Sequence, residues 1–347
     1  MHEVEYRGRR AYELESDALE LVVTVEGGHI AAIRDKASGI NPLWEPPWPT
    51  IEPSAWSPDR HPGYGAGPEA RLLAGILGHN ICLDIFGPPS DEEAAAGLDV
   101  HGEAATAAYT IAREGEWLSC RADLPEAGLR FTRWLRLKSR ILQIHETVEN
   151  LRGVDHPVGW TQHVTLGPPF LEKGRTRFRV TGTRSKVYEG EFAPEGRGLQ
   201  QPGAEFDWPH VPLRNGGTDN LEVFTSAPVS GGFTTTLMDP ARDEVFFIAW
   251  SPTHRLAIGY QWKRADFPWL GRWEENLSRE QPPWNGRTIA LGMEFGVSPM
   301  PETRREMVER GSLFGALAFR WIPARSRVEA EYRAAVWPAD SLPERLP

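Results

Sequence analysis

Leu19-Glu20-Leu21-Val22-Val23-Thr24-Val25, then Gly27-Gly28, then His29-Ile30-Ala31-Ala32-Ile33-Arg34 is the stretch from which the fold is read. Two short runs rich in β-branched residues flank a Gly-Gly pair, and glycines supply the positive-φ positions that a tight hairpin turn requires. The pattern predicts two antiparallel strands.

The same period-2 signal continues outward along the chain. It predicts strands at Ala108–Arg113, Trp117–Ala122, Leu129–Lys138 and Ile141–Glu149. In the last of these Leu142, Ile144, Glu146 and Val148 share one face, and Gln143, His145, Thr147 and Glu149 the other. Later strands are expected at Thr176–Thr181, Leu221–Thr225, Phe233–Met238, Val245–Trp250, Ala257–Trp262, Thr288–Gly296 and Arg327–Val336. Strands spaced by roughly ten residues with turn signals between them indicate a large antiparallel sandwich. Helix is expected mainly at Pro301–Arg310, with Pro at the start and Gly311 as the stop. The Pro/Gly-rich segments 41–70 and 189–217 read as long loops, and loops of that length in a compact domain usually carry function.

The chain has 347 residues, and an all-β unit of that size folds as one domain, here 1–347. It can bury enough surface without staples, so Cys82 and Cys120 are expected to be free buried thiols. The opening MHEVEYRGRR has no apolar signal core, and no window approaches ~18 uninterrupted apolar residues. A soluble cytoplasmic protein, monomer or homodimer, is expected. The net charge of −10 repels phosphate backbones and argues against nucleic acid. Fourteen tryptophans, many beside prolines as in Pro42–Pro49 and Pro282-Pro283-Trp284-Asn285, either pin loops to the body or offer flat platforms for a sugar. At least one from segments 41–70 or 261–285 is expected at a binding rim.

Three polar clusters interrupt otherwise simple strands: Asp99-Val100-His101-Gly102-Glu103, Gly159 to Pro169 around His163, and Ala290-Leu291-Gly292-Met293-Glu294-Phe295-Gly296. A lone carboxylate amid apolar residues is costly, so Glu294 is either neutralised or held for chemistry. At these residues the chain resembles the aldose 1-epimerases (galactose mutarotases). Glu26 to Ile33 resembles their opening hairpin, and His101-Gly102 their first-histidine motif. Glu146 to Asn150 with Pro157 to His163 resembles their second-histidine region. Leu291-Gly292-Met293-Glu294, with Pro299 and Pro301 after it, is similar to their glutamate motif, and Asp266-Phe267-Pro268-Trp269 to the segment before it.

The resemblance implies a galactose mutarotase-like β-supersandwich with few short helices. It also implies a metal-free, cofactor-free site that interconverts the anomers of a small carbohydrate. Carried over by motif, Glu294 is the base, His163 the acid and His101 a binding residue. His79, Asn80, Trp160, Gln162 and Asp266 are further sugar contacts, His79 or Asn80 standing in for an arginine that Gly78–Asp84 lacks. Asp219 and Asp243 compete with Asp266. Unperturbed Glu and His values lie on either side of about 5.5, so Glu294 is expected ionised and His163 raised above about 6.5 by the nearby carboxylate.

Other readings keep the fold for a lyase, or for a hexose-6-phosphate mutarotase gripping phosphate through Arg175, Arg177 and Arg179. A non-catalytic carbohydrate-binding protein is a further reading. The last is a metal-dependent isomerase using His79, His101, Glu103 and His163.

Overall fold

The computed structural model describes residues 1–347. Two large antiparallel sheets pack face to face. The larger runs in the order His2–Tyr6, Arg9–Glu15, Leu19–Thr24, Ile30–Asp35, His79–Asp84, His156–Leu166, Ile289–Gly296, Trp269–Asn276, Ser230–Met238, Gly182–Val187 and Glu205–Asp207. A twelfth strand, Arg320–Ile322, pairs with the lower part of His156–Leu166. The second sheet runs Arg177–Val180, Glu244–Ser251, Leu256–Lys263, Arg327–Pro338, Ile141–Asn150, Leu129–Lys138, Trp117–Leu124 and Thr110–Glu114. This is the expected all-β sandwich.

The opening hairpin forms as read, with Gly27 at φ 75° and Gly28 at φ 57°. Gly27 is required for a second reason, because a Cβ there would lie 2.4 Å from the Ala105 carbonyl oxygen. The strand Ile141–Asn150 alternates strictly, with Leu142, Ile144, Glu146 and Val148 turned inward. Leu142, Ile144 and Val148 join a continuous core between the sheets that includes Leu21, Trp160, Phe247, Phe295 and Tyr332. Cys82 and Cys120 are free and buried.

The structure corrects several expectations. Leu221–Thr225 is not a strand and makes only an isolated bridge, Val223 to Arg177. The predicted helix begins later, at Arg304, because Thr303 and Glu306 form a capping box; Gly311 ends it at φ 63°. The strands His79–Asp84 and Trp269–Asn276 lack period-2 patterning because every residue in both is buried, so neither has a solvent face. No helix is long and apolar enough to cross a membrane.

Candidate active site

The centre of the larger sheet places the chemistry. His163 on His156–Leu166 pairs directly with Glu294 on one side and with Asn80 on the other, and Glu294 in turn pairs with Gly271. Directly paired residues project from the same face, so these strands set Asn80, His163 and Glu294 in one row. His163 and Glu294 line a cavity of about 470 Å³ together with His101, Trp273, Trp284 and Arg279. That size suits a small molecule.

His163 Nε2 lies 3.1 Å from Glu294 Oε1. The contact is not a hydrogen bond, and Oε1 has no donor within the protein. It is free to accept from a ligand. The other ring nitrogen, Nδ1, is 3.0 Å from Thr165 Oγ1, two residues along the same strand face.

His101 reaches the cavity from a loop, in a left-handed conformation at φ 69°. Gly102 follows at φ 79°, where a Cβ would collide with the Leu83 carbonyl oxygen at 1.9 Å. The His101 Nδ1–H donates to the Phe86 carbonyl, leaving Nε2 bare toward the cavity. The His101 and His163 rings are 5.4 Å apart.

Burial governs the ionisation, in the sense opposite to the sequence expectation. With no cation bonded to it, the Glu294 carboxyl is pushed up to about 8 by desolvation. Burial first, then His101, lowers His163 to about 3. His101 is lowered to about 4, mainly by burial and further by Arg279. The carboxylate expected to raise His163 is itself protonated at neutral pH, so the resting pair is uncharged.

The other expected sugar contacts separate. Trp160, Gln162 and His79 point to the opposite side of the sheet, into the core. Gln162 Oε1 accepts from Arg133 at 3.0 Å, from the Tyr332 hydroxyl at 2.8 Å and from His79 Nε2 at 3.1 Å, while its Nε2 donates to Glu146 at 2.6 Å. Trp160 Nε1 donates to the same Glu146. These residues satisfy a buried Arg133–Glu146 ion pair of 2.7 Å and do not reach the cavity. Asn80 faces the right way but sits beneath the lining with its amide unbonded. Asp266 lies in a turn, 3.9 Å from Arg320 and outside the lining.

The phosphate grip expected of the arginine strand is also elsewhere. Arg177 and Arg179 lie on the edge strand of the second sheet, where Arg179 donates to the Pro343 carbonyl. The four-residue metal set does not converge, since Glu103 accepts from the Ala127 amide and His79 faces the core. Arg279 and the rim residues Glu69 and Gln281 enter the lining unforeseen, while Trp273 and Trp284 supply the tryptophan expected from segment 261–285. Glu275 and Arg279 read in sequence as an ordinary i,i+4 pair, and on that loop only the Trp of Pro282-Pro283-Trp284 carries a local signal. Trp44 and Trp48 pin the loop instead, packing against Trp284 at 6.2 and 5.2 Å.

Solved structures carry the same fold. The chain superposes on a Klebsiella pneumoniae protein named as a candidate aldose 1-epimerase, with TM-score 0.66 and 14% identity over 96% of this chain and 80% of that one. It matches a galactose mutarotase related enzyme from Lactobacillus acidophilus with TM-score 0.62 and 12% identity, over 96% and 99% of the two chains. A galactose mutarotase-like protein from Clostridium acetobutylicum gives TM-score 0.63 and 11% identity, over 97% and 98%. No family model and no curated protein matches the chain. The fold is therefore that of the galactose mutarotase-like proteins, a likeness of architecture at these identities.

Proposed function

We propose that the protein is an isomerase of the aldose 1-epimerase type, opening and reclosing the ring of a free sugar. The observation that carries this reading is the His163–Glu294 contact on the floor of a tryptophan-lined cavity, with Glu294 Oε1 free to accept. Mutarotation needs one group to take the proton of the anomeric hydroxyl and another to protonate the ring oxygen. After rotation about C1–C2 the same transfers run in reverse.

A pair that holds one proton in total meets this need. At rest the proton is on Glu294. Once a sugar bridges the two groups, relay of that proton to His163 gives a carboxylate base beside an imidazolium acid, and their attraction at 3.1 Å offsets part of the cost of separating charge. Glu294 then acts as base and His163 as acid. His101, with Nε2 bare, accepts a sugar hydroxyl. Trp273, 5.8 Å from the His163 ring, offers a face to the sugar's C–H groups.

Polarimetry on a panel of free aldoses tests the reading. The wild type should speed equilibration of at least one sugar, and Glu294→Gln should lose roughly 100-fold or more in kcat with binding retained. Binding without acceleration of any aldose would make the protein a carbohydrate-binding module.

A further inference from the structure

Arg279 is a partly buried cation, its side chain 22% exposed. Other arginines are committed: the buried Arg133 donates to Glu146 and Arg272 to Glu274, and the partly buried Arg304 to both oxygens of Asp84. The Arg279 guanidinium makes no hydrogen bond to the protein. Its one ion pair is a loose contact of Nε with Glu275 at 3.6 Å. Both Glu275 oxygens are already engaged, by the Ser278 amide at 2.6 Å, the Ser278 hydroxyl at 2.7 Å and the Arg279 amide at 3.2 Å.

The backbone holds this arginine in place. Its amide is tied to Glu275 and its carbonyl accepts from the Gly286 amide at 2.8 Å. The loop that carries it joins the strands Trp269–Asn276 and Ile289–Gly296, the second of which bears Glu294. The guanidinium lies 4.8 Å from the Trp284 ring centre and 5.6 Å from that of Trp273. Two indole faces orient a planar fork without using its N–H donors. Those donors border the cavity that holds the catalytic pair, and that pair is uncharged at rest. Glu69 at the rim makes no ion pair with Arg279, although its charge acts on the guanidinium from a distance.

We propose that Arg279 anchors an anionic group on the sugar, either the carboxylate of a uronic acid or the phosphoryl group of a sugar phosphate. The substrate class is then an anionic free monosaccharide, its charge on Arg279 and its anomeric carbon between Glu294 and His163. A charge-assisted, forked contact of this kind favours an anion over a neutral hydroxyl. The inference rests on the assignment of Glu294 and His163 to anomeric chemistry. It can nevertheless fail separately.

The test compares neutral aldohexoses, the matching hexuronates and the matching hexose 6-phosphates at fixed ionic strength. Wild-type kcat/KM should be at least about tenfold higher on one anionic series than on the neutral sugars, and the advantage should shrink with added salt. Which series leads identifies the anion as carboxylate or phosphoryl. Arg279→Gln should lose the advantage chiefly through KM, and Arg279→Lys, which keeps charge without the fork, should fall between.

Equal or better turnover of neutral sugars by the wild type would overturn the proposal and leave mutarotation standing. So would an Arg279→Gln loss of the same size on neutral and anionic sugars. If no sugar in any series is epimerised, calorimetry with glucuronate and glucose 6-phosphate decides. Binding that Arg279→Gln abolishes keeps the anion site while the isomerase reading falls, and absence of binding overturns both.

Discussion

Gly292 makes room for the Glu294 carboxyl: a Cβ at position 292 would lie 2.2 Å from Glu294 Oε1. The two residues stand two apart on one strand and so project from the same face of the sheet. Gly292→Ala should therefore turn the carboxyl away from His163 without disturbing the strand. We expect kcat to fall on the order of 10–100-fold, since a displacement of about 1 Å suffices for such losses, while the melting temperature changes little. Parallel kinetics and thermal unfolding check this. Full activity in a well-folded Gly292→Ala would detach the carboxyl's position from catalysis.

The pH profile reports the single-proton pair. Independent groups with ordinary values would give an optimum near pH 5.5 and a fall above about 6.5. Here kcat/KM should stay level through neutrality and fall as Glu294 loses its proton near about 8. The titratable groups facing the pair are His101, already neutral, and Cys82, whose thiol burial and Glu294 hold well above its usual range. Rates from pH 5 to 9.5, corrected for the uncatalysed reaction, would show either the late fall or the early one.

Stability should carry the opposite signature of the same carboxyl. The folded protein keeps the Glu294 proton up to about 8, whereas an unfolded Glu releases it near 4.5. Between those values the folded state binds more protons, so this group's favourable contribution is complete below about 4.5 and is lost as pH rises toward 8. Glu294→Gln removes the titration. The variant should gain about 3 kcal/mol over wild type at pH 7 relative to their difference at pH 4.5. Denaturant unfolding at the two pH values measures it, and a difference independent of pH would mean that Glu294 is not held protonated.

Gln162 belongs to the buried network and not to the sugar. Gln162→Leu would leave Arg133, Tyr332, His79 and one Glu146 oxygen without their partner. We expect a loss on the order of 2–4 kcal/mol in stability with KM unchanged. A raised KM in a stable Gln162→Leu protein would return this residue to the binding site.

Residues whose role follows from local pattern are legible in the chain alone. The Gly27-Gly28 hairpin, the inward face of Ile141–Asn150 and the Gly311 stop of the helix Arg304–Arg310 all depend on neighbours within a few positions. The motifs around His101, His163 and Glu294 mark the three groups that meet in the cavity. His79 and Gln162 lie one residue from Asn80 and His163, and that single step sends them through the sheet to the other face. The strand Trp269–Asn276 is not legible, because a strand buried on both faces has no alternation to read.

Strand period and turn chemistry, encoded within a few residues, suffice for the β-sandwich and its opening hairpin, and the resemblance of short motifs marks the trio His101, His163 and Glu294. Tertiary contacts alone decide that burial raises the Glu294 carboxyl to about 8, that the Arg133–Glu146 pair captures Gln162, and that Arg279 lies across two indole rings with its guanidinium free of hydrogen bonds. Desolvation and the pairing of charges depend on what segments distant in the chain bring together, and a protonation state is set by that enclosure and not by the residue's neighbours in sequence.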